Sequence, residues 1–544
     1  MSRPAPAAVV ILAAGQGTRM RSARAKVLHP IGGVSLLGHV LATARAVEPE
    51  HLVTVVRHQR DQVAEHIEAL DPDVLITDQD EIPGTGRAVQ CGLDALDLAA
   101  QGRAMATSDQ REKLPRADEI AIDGTVVVLL GDVPLLQPQT VQEVLDTHHE
   151  QDNAVTVLTT HLPDASGYGR IVRDQDGAVT GIVEHGDATP EQRAITEINS
   201  GVFAFDAAVL RDGLGQVDAG NNQGEVYLTD VLAHAHRAGN RVGAVVVADS
   251  LQVEGVNDRV QLATLGAELN ARTLRHWMRA GVSIVDPTST WVDVGVELEP
   301  DVTLLPGTQL HGQTHVLTGA TIGPDTTLTD VQVGPGATVI RSHGEQAQID
   351  AGATVGPFAY LRPGTVLGER GKIGTFVETK NAQIGAGSKV PHLSYIGDAT
   401  IGRETNIGAA SVTVNYDGVT KRRTTIGDHA RTGADNMFVA PVTVGDGAYT
   451  GAGTVLRRDV PPGALGISGG QQRNIENWVL SRRAGTPAAQ AAQAALEADE
   501  GDGASAELSP QAQAERSRAG TTNNAADQDT AANRHGSAHL DEER

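Results

Sequence analysis

The sequence predicts a Rossmann-like α/β domain with a mostly parallel sheet, followed by a left-handed parallel β-helix and a disordered tail. Three observations carry this prediction. From residue 8 to about 258, β-rich runs such as AVVIL, LVTVV, TVVVLL and AVTVLT alternate with helical stretches such as SLLGHVLATARAV and QTVQEVLDTHHEQ, the pattern of parallel strands joined through helices. Beyond residue 290, aliphatic residues recur every six positions. From Ala484 the chain becomes rich in alanine, glutamine and acids.

The first domain is expected over residues 1–258. Within it, the polar, aperiodic stretch from Leu98 to Gly124 reads as a surface loop insertion. Residues 259–288 form a helical linker, because QLATLGAELNARTLRHWMRAG places apolar residues at helical spacing and ends on a glycine. The β-helix and a C-terminal arm occupy 289–483. Val292, Leu298, Leu304, Leu310, Val316, Ile322 and Leu328 keep one phase, with small or β-branched residues four positions after the first six, at Val296, Val302, Thr308, Thr314, Ala320 and Thr326. A second run covers Val333, Val339, Ile349, Val355, Leu361, Leu367 and Ile373, and a third Ile384, Val390 and Ile396, before a slip ahead of Ile401 and Ile407. A period of six is neither the 3.6 of a helix nor the 2 of a strand, and it is the signature of a hexapeptide coil. An aromatic content of 3% suits so thin a core. Residues 484–544 bury too little apolar surface to offset their ordering entropy and are expected to be disordered.

A formal charge of −25 argues against nucleic acid or an anionic membrane as partner, since both demand a basic face. Phosphorylated ligands must therefore meet local cationic pockets. With Cys91 as the single cysteine, no intramolecular disulfide forms, and a reducing cytoplasm is the simplest setting. The opening MSRPAPAAVVILAAGQGTRM lacks the length and cleavage pattern of a signal peptide.

The loop LAAGQGTRM follows the strand VVIL, with Lys26 just beyond it. Gly15 and Gly17 allow backbone N–H groups to approach phosphate oxygens, and Arg19 and Lys26 offer charge to a triphosphate and its leaving pyrophosphate. Alone, such a loop reads equally well as a strand-to-helix turn. It is followed, in order, by Gln79 with GTGRA at 84–88, LGDVPLL at 130–136, SGYGRI at 166–171, IVEH at 182–185, EINSG at 197–201 and VEGVN at 253–257. In these motifs the chain resembles the sugar-1-phosphate nucleotidyltransferases. It is most similar to the bacterial bifunctional N-acetylglucosamine-1-phosphate uridyltransferases/glucosamine-1-phosphate acetyltransferases, over residues 8 to about 480. The resemblance implies that Leu12, Ala13, Ala14, Gly15, Lys26, Gln79, Gly84 and Thr85 bind UTP, and that Gly169, Glu184 and Asn199 bind the sugar. It assigns Mg²⁺ to Asp132 and Asn257, oxygen donors of the kind a hard cation takes. Catalysis of uridylyl transfer would rest on Arg19 and Lys26.

Inside the coil, Arg362, Lys380, His392, Tyr395, Asn406 and the pair Asn415-Tyr416 form a polar group that a purely structural repeat does not require. SVTVNYDGVTKRRTT interrupts the repeat, with a turn at Asp417-Gly418 and cations at Lys421, Arg422 and Arg423. By resemblance, Arg362 and Lys380 bind the phosphate of glucosamine-1-phosphate, Tyr395 and Asn406 hold the sugar, and His392 is the general base. Ala409, Asn415, Tyr416, Ala434 and Ala452 would line acetyl-CoA. An imidazole titrates near neutrality and suits removal of a proton from an attacking amine. The family resemblance also implies a homotrimer through the coils, with acetyl-CoA sites between subunits.

Four positions depart from the family pattern. Ala25 replaces a proline before Lys26, which predicts a looser loop, and Arg87 replaces a histidine in GTGHA, which predicts an added donor near uridine. Ala434 replaces a serine and Gly469 an arginine at the coenzyme. Arg473 or the Lys421–Arg423 cations would then compensate, with Trp478 folding over the coenzyme. Two rival readings of the coil are a non-catalytic oligomerisation scaffold and a metal site on His311 and His315. The first leaves the polar group unexplained, and the second lacks a third ligand.

Overall fold

The computed structural model describes residues 5–100, 122–217, 224–470, 472 and 474–505. The chain divides into two compact units, Met1–Ser468 and Gly469–Arg544.

In the first domain, seven strands run across the main sheet in the order Val242–Val246, Val155–His161, Glu197–Asp206, Thr125–Leu130, Ala8–Ala13, His51–Val56 and Leu75–Asp78. All are parallel except Glu197–Asp206, which is antiparallel to both neighbours. Both faces are covered. Val9 and Ile11 pack with Leu37, Val40 and Leu41, while Val10 packs with Val89, Leu93 and Leu96 on the other side; strand alternation under two helical layers requires this. Leu12 lies opposite Leu130 in the register, so the glycine-rich loop and Gly131-Asp132 leave the sheet side by side at its carboxyl edge. Ligands bind at that edge in open α/β sheets.

The helix Arg259–Arg279 begins with Asp258 accepting from the N–H groups of Val260 and Gln261, a side-chain N-cap. It joins the two parts of the unit. Leu265 packs with Met20, Ile31 and Leu36 of the first domain, and Leu274 belongs to the core of the coil.

The second part is a left-handed parallel β-helix of very short strands. Trp291 pairs with Gln309, Glu297 with His315 and Thr303 with Thr321, so in these early coils a strand meets the one eighteen residues on and three six-residue sides make a coil. The predicted aliphatic positions are its core: Leu304, Ile322, Val339, Val355, Ile373 and Val390 stack through successive coils, each at most 2% exposed. The small residues four positions later are buried too. Thr308 and Thr314 enter the core at no unsatisfied cost because their hydroxyls donate to the carbonyls of Leu305 and His311. Burying one such aliphatic side chain is worth ~1.5–3 kcal/mol, and each coil gains it only against its neighbours.

Three expectations are corrected. The coil starts inside the expected linker, because Ser283–Ile284 already pairs with Thr303–Leu304. The start of the expected insertion, Leu98 to Ala100, is the end of the helix Thr85–Ala100, and Ile122 near its far end is buried, its N–H donating to Asp97; the remainder at 101–121 lies outside the described residues. Disorder from residue 484 is replaced by a helix over Pro487–Ser505, where alanine, glutamine and glutamate have high helix propensity. Residues 506–544 lie outside the described residues. Among the described residues, no helix is long and apolar enough to cross a membrane.

Candidate active sites

At the carboxyl edge of the sheet, a cavity of about 390 Å³ is lined by Leu12, Arg19, Thr85, Asp132, Gly169, Glu184, Asn199 and Asn257, bringing together residues from every predicted motif except Gln79. Lys26 lies just behind this lining. Its ammonium donates to Asp132 Oδ2 at 2.5 Å and to Asn257 Oδ1 at 3.5 Å. Gly17 makes that approach possible: at φ +64° a Cβ there would stand 2.6 Å from Lys26 Cβ. Ala25, in place of the family's proline, holds φ −55° and ψ 141°, so the backbone before Lys26 takes a shape that a proline also allows.

Ala13 is buried at the strand end, Ala14 is half-buried and Gly15 is exposed on the loop. Gln79 does not face the cavity with its amide nitrogen, which donates to the carbonyls of Ile82 and Gly84 and braces the loop before Thr85. Gly84 adopts φ +122° against the backbone of Val226. Arg87 is not an added donor for a nucleotide: its guanidinium is taken by Asp80 and by Gln90 at 2.7 Å. Asn199 is set by its N–H to Gly169 O and by its Oδ1 accepting from Gly201 N–H. Two residues earlier, Glu197 is buried in an ion pair with Arg173 at 2.6 Å and accepts from Thr159. Burial raises the Glu184 carboxyl above its ordinary range, with Thr229 donating to it at 3.4 Å in partial compensation. Sequence reasoning missed Tyr168 and Thr229, which also line the cavity. For Tyr168 the signal was its place in the SGYGRI motif, and for Thr229 the mixed stretch GEVYLTD at 224–230.

The two oxygens converging on one cation suit Mg²⁺, which keeps several waters and takes phosphate oxygens as further ligands. Among the described residues, no cluster of three or more His, Cys, Asp and Glu could hold a metal unaided.

In the coil, the predicted residues sort into columns by register. Residues 358, 376, 393, 410 and 435 are left-handed corners, with φ between +50° and +59°. Immediately before them run His392, Ala409 and Ala434, with Ala452 one coil further on. Thr375 pairs with His392, Ala410 N–H donates to His392 O, Asp435 N–H to Ala409 O and Gly453 N–H to Ala434 O. Two positions after the corner stand Glu378 and Tyr395, which pair directly. Four after it stand Arg362 and Lys380 in consecutive coils, since Leu361 pairs with Thr379. His392 thus lies between a cationic end in earlier coils and a ladder of alanines in later ones. Asn406 is on the adjoining side, bridging Lys389 and Arg431.

Arg362 Nη1 donates to Glu378 at 2.9 Å. Asp398 accepts from Asn381 at 2.7 Å and from Asn415 at 2.5 Å. Burial alone would raise the Asp398 carboxyl, but these bonds and the charges of Lys380 and Lys421 hold it below its ordinary range. The neighbouring Lys421 charge repels that of Lys380 and lowers the Lys380 ammonium. The excursion turns as expected, Asp417 accepting from the N–H groups of Val419 and Thr420, with Gly418 at φ +97°. Tyr416 is exposed, its hydroxyl donating to Gly418 O. Of the loop cations, Arg423 is committed to Thr400 and the carbonyl of Ala399. Arg473 lies outside the described residues. Trp478 belongs to the second unit, where Arg483 stands 5.9 Å from its ring centroid. His311 faces Asp293 at 3.3 Å and His315 faces Glu297 at 3.9 Å, so the two histidines address different carboxylates.

Residues 9–168 match the family model of the MobA-like NTP transferase domain. The chain is 60% identical to the bifunctional protein GlmU of Kineococcus radiotolerans, across 92% of this chain and 97% of that one. It is 59% identical to that of Pseudarthrobacter chlorophenolicus, across 90% and 96%, and 56% identical to that of Streptomyces avermitilis, across 92% and 100%.

Proposed function

Because the chain belongs to the family of bifunctional GlmU proteins, we propose that it makes UDP-N-acetylglucosamine in two steps at two separate sites. Glucosamine-1-phosphate is first acetylated from acetyl-CoA, and the N-acetylglucosamine-1-phosphate then takes a uridylyl group from UTP, releasing pyrophosphate. The observation that carries the second step is the convergence of Arg19, Asp132, Glu184, Asn199 and Asn257 on one cavity beside Lys26. The column of His392, Ala409 and Ala434 beside Arg362 and Lys380 supports the first.

In uridylyl transfer, the backbone from Leu12 to Gly15 and the loop at Gln79, Gly84 and Thr85 would seat the nucleotide, and Gly169, Glu184 and Asn199 the sugar. Asp132 and Asn257 would hold Mg²⁺, which when bound neutralises phosphate charge. Arg19 and Lys26 would stabilise the charge on the departing pyrophosphate, so the protein acts by positioning and electrostatics. In acetyl transfer, Arg362 and Lys380 would take the sugar phosphate, with Tyr395 and Asn406 fixing the ring. His392 would accept the proton of the amine as its nitrogen bonds to the thioester carbon, and the C–S bond breaks to release CoA. Ala409, Ala434 and Ala452, with Asn415 and Tyr416, would line the coenzyme.

Phe358, Phe376 and Leu393 are 52%, 59% and 60% exposed at successive corners, and the two rings stack with centroids 5.5 Å apart. An exposed apolar ladder of this kind supports association of coils, and a homotrimer would put the coenzyme between subunits. A single cysteine supports a cytoplasmic setting.

The test is direct. Purified protein with glucosamine-1-phosphate and acetyl-CoA should release CoA without UTP, and with N-acetylglucosamine-1-phosphate, UTP and Mg²⁺ should release pyrophosphate without acetyl-CoA. Absence of either release removes the corresponding half of the proposal.

A further inference from the structure

We propose that a cleft of about 310 Å³ where the coil meets the first domain is a separate binding site for the pyranose ring of a sugar. It is walled by Trp291, Asp293, Gln309 and His311 of the first coils, by Asn270 of the long helix, and by Gly32 of the domain's Ile31–Val34 turn. The site uses none of the residues assigned above to catalysis or substrate binding.

The register explains the platform. Trp291 pairs with Gln309 and Val292 with Leu310; the two aliphatic residues are buried, so the indole and the amide lie side by side on the outside of the coil. The indole is 44% exposed, whereas the corresponding outward positions at Glu297, Thr303, His315 and Thr321 are polar. Asp293 sits next to His311, and both its bonds use one oxygen: Oδ2 faces His311 Nδ1 at 3.3 Å and accepts from Gly312 N–H at 3.1 Å. That fixes the carboxylate while leaving Oδ1 for a hydroxyl donor. Asn270 cannot turn toward a ligand, because its side chain bridges Thr290 O and Val292 N–H, and it serves as a rigid wall.

His311 faces Asp293 through Nδ1 and Gln309 Oε1 through Nε2 at 3.4 Å, so the imidazole orients the carboxylate and the amide while the Gln309 amide nitrogen faces no partner there; a flat apolar surface flanked by that amide and a fixed carboxylate matches a ring with one apolar face and hydroxyls around its rim. Few polar groups set about an aromatic wall are also how small-molecule sites gain orientation. No lysine or arginine lines the cleft, so it offers a phosphate or nucleotide no counter-charge, and the sugar itself is the recognised part. The choice of N-acetylglucosamine as that sugar rests on the proposed function; the cleft and its chemistry do not. Because its walls come from the coil, the helix and the first domain, an occupant would bridge the two parts of the unit.

The experiment titrates N-acetylglucosamine into the full-length protein held with saturating UTP, which carries no pyranose, following ligand signals by saturation-transfer NMR. The expected result is saturable binding that survives the nucleotide and weakens about tenfold or more in Trp291→Ala and in Gln309→Ala. Trp291→Phe should retain most of it. Melting curves of the variants, matched to the parent protein, exclude misfolding. Absence of saturable binding in the parent, or equal binding by parent and both alanine variants, overturns the proposal. Persistence of this binding in a protein that releases neither CoA nor pyrophosphate would separate it from failure of the proposed function.

Discussion

Asp132 holds the ammonium of Lys26 at 2.5 Å, with Asn257 on the other side at 3.5 Å. The lysine therefore shares the oxygens that would hold a divalent ion, so the ammonium and such an ion would compete for them. Lys26→Ala is expected to bind Mn²⁺, read by electron paramagnetic resonance without nucleotide, several-fold more tightly than the parent. Pyrophosphate release by the same variant should fall about a hundredfold, the scale of losing one transition-state charge partner. Weaker Mn²⁺ binding would show that the lysine supports the site rather than competing for it.

Glu197 is buried against Arg173 and lies two residues before Asn199 in the same strand. Burial alone would raise its carboxyl, but the Arg173 and Thr159 bonds outweigh it and the group sits below its ordinary range. An acid depressed in the folded state contributes stability above its unfolded pKa and loses it as pH falls through the folded value. Glu197→Ala should cost about 3 kcal/mol at neutral pH by stranding Arg173, which is one-third exposed and therefore sits at the low end for a buried pair. The difference from the parent should shrink as pH is lowered below the carboxylate range, measured by denaturant unfolding.

Glu184 is the opposite case. Its raised carboxyl means that the folded state pays to keep it charged. Glu184→Gln should melt a degree or two higher at neutral pH while pyrophosphate release falls, a stability gain set against function. A lower melting temperature contradicts this reading.

Asp398 ties Asn415 to the charges of Lys380 and Lys421. Asp398→Asn removes an anion that favours the charged form of Lys380, already lowered by Lys421. The alkaline limb of the acetyl-transfer pH profile should therefore move to lower pH, with an increase in the KM for acetyl-CoA of about tenfold. Pyrophosphate release should not change.

Much of this was legible from the chain because the coil imposes so strict a rule. A core that admits one aliphatic and one small or β-branched side chain per six residues writes its period into Val292, Leu298, Leu304 and their successors. Its first strand lies outside that phase because Ile284 pairs with Leu304 across twenty residues where the next coils use eighteen. Glu378 and Asp398 were missed because their partners lie in neighbouring coils: Arg362 sixteen residues before Glu378, Asn415 seventeen after Asp398. The coil offset itself is the signal that finds them. Arg87 was misread because its guanidinium is satisfied by Asp80 in the preceding loop, a tertiary pairing that a motif comparison does not contain.

The claim of two independent sites is tested most directly by a crossed pair of variants, each assayed for both half-reactions. His392→Ala should lose CoA release by a factor of about 10²–10⁴, the range for a general base, and keep pyrophosphate release at the parent rate. Asp132→Asn should do the reverse. Parallel loss of both activities in either variant, with melting curves unchanged, would contradict the account.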